Sequence, residues 1–177
     1  MLTMLMRAVP SIERIGDYAT NLDEFAQKMH EENLVFSETA VQELDIISNA
    51  VSEILSLSVA AMGSDDIDTA RRIEPLEEVI DDMVLLLRDR HTQRLCQGIC
   101  SISSGIIFVE MLTLLERAAD QCSNLAMLII GRDNEAIRKN HHQYLEALHA
   151  SGDLVYIAEQ EMRRKQYMQP LEALVKN

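Results

Sequence analysis

The sequence predicts an all-α bundle, and three observations predict it. Hydrophobic residues make up 47% of the 177 positions, yet only 4% are aromatic and Trp is absent, so the apolar mass is Leu, Ile, Met and Ala, which suit helices. Six glycines and three prolines supply too few turns for a chain of many short strands. Apolar residues recur at steps of three and four over long stretches, and strand-like alternation is absent.

The elements are taken in chain order. Ile12, Ile15, Ala19, Leu22, Ala26 and Met29 form a helical seam over residues 12–29. Ser11 can cap a fresh start, or Pro10 can kink a longer helix beginning near Leu2; the apolar, turn-free run at 2–9 favours the kink. A second helix is expected from about Ser37 to Met62, with Val41, Leu44, Ser48, Val51, Ile54 and Leu55 on one face. Gly63 is read as its left-handed stop, with Asp65 and Asp66 capping the next helix. A third helix is expected over 67–95 and a fourth over 102–130, ending at Gly131 beside Arg132. Beyond that the pattern weakens. Asp133 is a candidate cap for a helix through Leu148, Ser151-Gly152-Asp153 starts another reaching about Tyr167, and Pro170 ends or kinks it; this stretch reads as an appendage against the bundle.

Charge and cysteines narrow the class. With 29 acidic against 16 basic residues the formal charge is −13, which repels nucleic-acid phosphates and anionic lipids, so no nucleic acid is expected as a partner. Such a surface suits cations or a basic patch on another protein, or serves only to keep the bundle soluble. Three cysteines, Cys96, Cys100 and Cys122, are an odd count without CxxC spacing, and read as buried small hydrophobes. No apolar run approaches the roughly 18–20 residues needed for a bilayer span, so no direct membrane span and a cytoplasmic location are expected.

The chemistry rests on an internal repeat. Glu13-Arg14-Ile15-Gly16-Asp17 recurs as Glu116-Arg117-Ala118-Ala119-Asp120, and Asn21 and Leu22 correspond to Asn124 and Leu125. The seam residues Ile12, Ile15, Ala19, Leu22 and Ala26 map onto Leu115, Ala118, Cys122, Leu125 and Ile129. Glu and Asp four apart project from one helix face, where two like charges cost roughly 0.2–0.5 kcal/mol unless a cation lies between them. Asn21 and Asn124 extend each stripe with an amide oxygen, making ladders of donors for Mg²⁺, Mn²⁺, Fe or Zn²⁺.

A third pair of this spacing is Glu77 and Asp81. Glu77 falls in the apolar row between Ile73 and Ile80, where a carboxylate requires a partner; Glu78 and Asp82, one position around, are expected to face water. The competing reading is interhelical salt bridges, since each repeated Glu is followed by Arg. A ferritin-like di-iron oxidase is disfavoured because Glu146 to His149 is the one Glu-x-x-His spacing, and it lies in the tail. Neither a P-loop nor a nucleophile elbow is present, so no enzymatic activity is expected. His30, His91, His141, His142 and His149 read as surface or internally satisfied residues rather than ligands.

These residues resemble the PhoU phosphate-signalling family. Ile12-Glu13-Arg14-Ile15-Gly16-Asp17 with Asn21 is similar to the motif in the last helix of a PhoU three-helix repeat. Leu115-Glu116-Arg117-Ala118-Ala119-Asp120 with Asn124 matches it with Ala for Gly, and Glu77-Glu78-Val79-Ile80-Asp81 resembles the second-helix carboxylate motif. The resemblance implies an antiparallel, spectrin-like three-helix repeat over 37–131. The last helix of a preceding repeat would lie at 1–31, and a helical C-terminal extension at 132–177. It implies metal at Glu13 and Asp17, Glu77 and Asp81, and Glu116 and Asp120, with one symmetric set of carboxylates missing because the first repeat is incomplete. His141-His142-Gln143-Tyr144-Leu145 and Arg163-Arg164-Lys165-Gln166-Tyr167 look like the extension of bacterial sodium-phosphate cotransporters. That likeness implies a cytoplasmic regulatory domain tethered to the inner face of the cell membrane by transporter segments; a free-standing regulator and a metal-free helical adaptor stand as alternatives. An incomplete first repeat leaves an apolar seam that should seek a second copy of the chain or upstream helices, so a homo-oligomer is expected.

Overall fold

The computed structural model describes residues 2–132, 134–135, 137 and 140–174, with the side chains of 2 and 3 left aside. Among the described residues the regular elements are all helical, with no strand. The main elements are α1 (Leu2–Glu31), α2 (Glu38–Ser64), the single turn α3 (Ile67–Ala70), α4 (Ile73–Cys96) and α5 (Ile102–Ile130). The C-terminal region holds α6 (His141–Ala150), α7 (Leu154–Arg163), a π-helical turn at Arg164–Met168, and α8 (Gln169–Ala173).

Short polar side chains start the long helices. Ser37 accepts from the Ala40 amide at α2 and Ser101 from the Ser104 amide at α5, satisfying donors that the first turn leaves open. The stop of α2 differs from expectation. Gly63 is inside the helix, and Asp65 takes the left-handed conformation (φ 54°, ψ 41°) with its amide bonded to the Ala61 carbonyl. The expected single third helix is broken at Arg71–Arg72. Pro75 lies in the first turn of α4, where no N–H is needed, but its ring would clash with the Arg71 carbonyl of a continuous helix. At Pro10 helix α1 continues without interruption. Pro170 lies in the first turn of α8, just after the π turn, whose closing bond runs from the Gln169 amide to the Arg164 carbonyl five residues back. The expected Asp133 cap lies outside the described residues.

Side-chain pairs fix the topology. Arg88 meets Glu116 while Glu74 meets Ser123, so α4 and α5 run antiparallel. Arg90 and Arg94 reach back to Glu43 at the start of α2, whereas Asp65 beyond its end pairs with Arg132 beyond the end of α5, so α2 and α5 are parallel. Helices α2, α4 and α5 form an up-down-up bundle, and α1 lies along α5. The core is Ile47, Ile54, Leu76, Ile80, Met83, Leu87, Phe108, Leu112, Ala119 and Ile129 with their neighbours.

This arrangement explains why the two copies of the repeated helix differ. In α5, Leu115, Ala118, Cys122, Leu125 and Ile129 are all buried. In α1, which has one main neighbour, the buried edge is Ala8 with partly covered Ile15, Tyr18, Leu22 and Met29, and Ile12, Ala19 and Ala26 are exposed. The predicted face of α2 is likewise rotated: Val41 and Ser48 are exposed, and Ala40, Glu43, Ile47, Ala50 and Ser58 are buried. Among the cysteines only Cys122 is buried; Cys96 is exposed and Cys100 partly so, because they flank the α4–α5 turn.

By length and composition α2 could also cross a membrane, contrary to the expectation that no stretch is long and apolar enough. In the fold it is a bundle helix whose fully buried Glu43 is held by Arg90 and Arg94. The extension is bolted to the same core. Arg163 is 2% exposed and pairs with Glu53 and Glu159, Tyr167 bonds Glu53, Arg164 pairs with Asp82, and Leu171 is fully buried with its carbonyl accepting from Arg90 at 2.7 Å.

Candidate functional site

The α4–α5 seam carries the polar stripe of both helices past the foot of the extension. One turn apart on α4, Glu74, Glu77, Glu78 and Asp81 face Asp120, Gln121, Ser123 and Asn124 of α5 and His142, Glu146 and His149 of α6. Together they line a cleft of about 450 Å³.

Two groups of potential metal ligands meet there. In the first, carboxylate oxygens of Glu77, Asp81 and Asp120 all lie within 4.8 Å of one another. Burial raises the Glu77 carboxyl well above the ordinary range, and the charges of Glu74 and Asp81 and a hydrogen bond with Asp120 raise it further. Burial also pushes Asp81 up to about 7, aided by the charges of Glu116, Asp120, Glu78 and Asp82. Three carboxylates this close cannot all be ionised without a compensating cation. They must keep protons or hold one. In the second group, Glu74, Glu78 and His149 are likewise within 4.8 Å of one another.

The residues of the first group fit a metal ion. All donors are hard oxygens, as Mg²⁺, Mn²⁺ or iron prefer. Asp81 Oδ1 is buried with no hydrogen-bond partner, an arrangement that costs stability unless an ion or water meets it. Glu77, Asp81 and Asp120 would hold the ion. Its positive charge would lower the carboxylate pKa values and draw α4 to α5.

The six expected ligands therefore separate. Glu77, Asp81 and Asp120 are brought together. Glu116 sits one turn along α5, close enough for its charge to raise Asp81, but its carboxylate accepts from Arg88 at 2.7 Å. Glu13 and Asp17 are exposed on α1 and join no such group among the described residues. Glu78 and Asp82, expected to face water, are half-buried: Glu78 meets His149 and Asp82 meets Arg164, because the extension covers that face.

Sequence reasoning did not single out Glu74, and it read His149 as a surface or internally satisfied residue; the structure brings both to the cleft. Glu74 is 3% exposed and accepts from Ser123, and burial raises its pKa although Ser123 and His149 counter the shift. The available signal was the Glu74–Glu78 spacing, a third i,i+4 acidic pair on the same helix. His149 had none, since its approach to α4 is set by tertiary packing.

Residues 44–129 match the PhoU domain family. The chain is 25% identical over 142 residues to the phosphate-specific transport system accessory protein PhoU homolog 1 of Thermotoga maritima, covering 80% of this chain and 59% of that protein. It is 25% identical over 130 residues to the corresponding PhoU homolog of Synechocystis sp., covering 73% of this chain and 56% of that protein. The chain thus spans under three fifths of these curated relatives. No solved structure matches. The stretch that matches the PhoU domain family runs from within α2 to the last turn of α5 and so includes the helices that position the cleft.

Proposed function

We propose that this PhoU-like domain is a metal-binding regulatory module of phosphate uptake, without catalytic activity of its own. The observation that carries the reading is the meeting of Glu77, Asp81 and Asp120 within 4.8 Å, with a buried and unpartnered oxygen on Asp81. An ion there ties α4 to α5, so occupancy alters the bundle that a partner reads. Phosphate uptake enters through the relatives, whose names place them in phosphate-specific transport.

In the fuller form of this reading, residues 37–131 are one complete three-helix repeat, 1–31 is the closing helix of another, and 132–177 is an extension. The whole is the cytoplasmic domain of a sodium-dependent phosphate cotransporter, tethered at the membrane by the transport segments. The exposed Leu5, Met6, Val9 and Ile12 on α1 support a further packing partner, a second copy or preceding helices. The relatives' description as accessory proteins favours a second reading, a free-standing phosphate-signalling regulator with the same metal site. The Arg88–Glu116 pair favours a third, a metal-free adaptor whose acidic motifs serve as interhelical ties.

Elemental analysis of protein purified without added metal tests the reading, together with thermal shift on adding iron, zinc or manganese. Bound metal, and a shift reduced by Asp120→Asn, are expected. Metal-free protein that no ion stabilises would contradict the metal claim and leave the adaptor. Phosphate uptake by cells carrying the full-length gene with and without Asp120→Asn then tests the regulatory half.

A further inference from the structure

The second group of potential ligands differs in kind from the first. Glu74 and Glu78 stand one turn apart on α4, and His149 reaches them from α6. His149 Nε2 lies 3.1 Å from Glu74 Oε1, and Nδ1 lies 3.4 Å from Glu78 Oε1. One imidazole with two carboxylates is a borderline donor set that suits zinc, manganese or ferrous iron better than magnesium.

Two features mark this place as built to hold something. Glu74 is oriented from behind, since its other oxygen accepts from the buried Ser123 hydroxyl, the kind of outer partner that fixes metal-ligating carboxylates. Beside it are polar groups with nothing to bind. Gln121, 7% exposed, lines the cleft with its Oε1 buried and unpartnered. The Tyr156 hydroxyl is buried and unpartnered as well; its ring packs 5.6 Å from that of His149, and the charges of Glu78, Glu74 and Glu77 all act on it. Such groups are satisfied by the waters of a hydrated ion.

The location says what such an ion would do. Helix α6 has no buried residue among those described; partly covered Tyr144 and Leu145 pack it on the core, and His149 ties it to α4. We propose that Glu74, Glu78 and His149 form a second metal site, for a divalent transition-metal ion, which fastens α6 of the extension onto the bundle. This site uses none of Glu77, Asp81 or Asp120, so it stands or falls apart from the site those three residues form.

Zinc binding to the metal-stripped full chain, followed by equilibrium titration and by hydrogen exchange of the α6 amides, tests the proposal. Wild-type protein is expected to bind one more equivalent than His149→Ala, and zinc should slow exchange in α6 of the wild type but not of the variant. Ser123→Ala should keep the site but weaken it about tenfold, as loss of an outer partner does. Asp120→Asn should leave the α6 protection intact. If His149→Ala binds zinc with unchanged stoichiometry and affinity, or if α6 protection is indifferent to zinc, the three residues are a metal-independent ion pair and the proposal is overturned. Loss of the Asp120-dependent equivalent alone would contradict the first site and not this one.

Discussion

At the scale of the residue, burial raises the carboxyl groups of Glu74, Glu77 and Asp81 in the cleft. Asp81 shows the consequence most clearly. Its folded pKa of about 7 exceeds that of an unfolded aspartate, so without metal the folded state keeps a proton that the unfolded chain has released. A raised acid contributes relative stability at low pH and loses it as pH rises from about 4 to its folded value. Metal-free protein should therefore weaken between pH 4 and 7, by about 1–2 kcal/mol from this group after allowance for partial solvation. Asp81→Asn should flatten that dependence, as followed by urea unfolding at several pH values. Equal slopes for the two proteins would mean that Asp81 titrates normally. The spacing of Glu77 and Asp81, and the row that buries Glu77, were legible in the sequence. Their meeting with Asp120 rather than Glu116 was not, because Arg88 claims Glu116 and a single sequence does not show which turn of α4 faces which turn of α5.

At the scale of the element, helix existence was legible and helix facing less so. Ser37 marked one start, and the α5 seam was right because neighbours surround that helix. The α1 seam was rotated because one neighbour covers only a narrow edge, so apolar spacing alone did not say which residues it would take. Close approach also matters between α4 and α5. A Cβ on Gly105 would lie 2.8 Å from the ring atoms Cε1 and Nε2 of His91. That ring cannot easily yield, being 4% exposed and stacked on Phe108 at 5.1 Å. Gly105→Ala should destabilise the bundle by about 1–3 kcal/mol in denaturant unfolding, the usual effect of overpacking. A neutral outcome would show that His91 has room to move.

At the scale of the molecule, the extension belongs to the packing of the bundle. Glu43 is fully buried between Arg90 and Arg94, and Arg90 also donates to the Leu171 carbonyl, so one buried network joins α2, α4 and α8. Removing the single anion strands two buried guanidinium groups, and Glu43→Ala should cost about 3–5 kcal/mol. Leu171→Ala should cost about 2–5 kcal/mol, the range for a buried leucine. Thermal and urea unfolding check both, and a surface-like effect below about 0.5 kcal/mol for Leu171→Ala would place α8 outside the cooperative unit. The sequence presented this stretch as an appendage because its periodicity is weak. What secures it is polar and long-range, through Arg163, Arg164 and Tyr167 to Glu53 and Asp82, and such ties leave no periodic trace.

The claim on which the account turns is that Glu77, Asp81 and Asp120 hold a metal ion. Calorimetric titration of manganese into metal-stripped His149→Ala protein at pH 6.5, repeated in two buffers of different ionisation enthalpy, measures both binding and proton release at that site alone. The account predicts one bound ion with net release of protons, since the ion displaces those held on Glu77 and Asp81, and loss of that binding in the His149→Ala, Asp120→Asn double variant. Absence of binding, or binding that neither releases protons nor depends on Asp120, would contradict it.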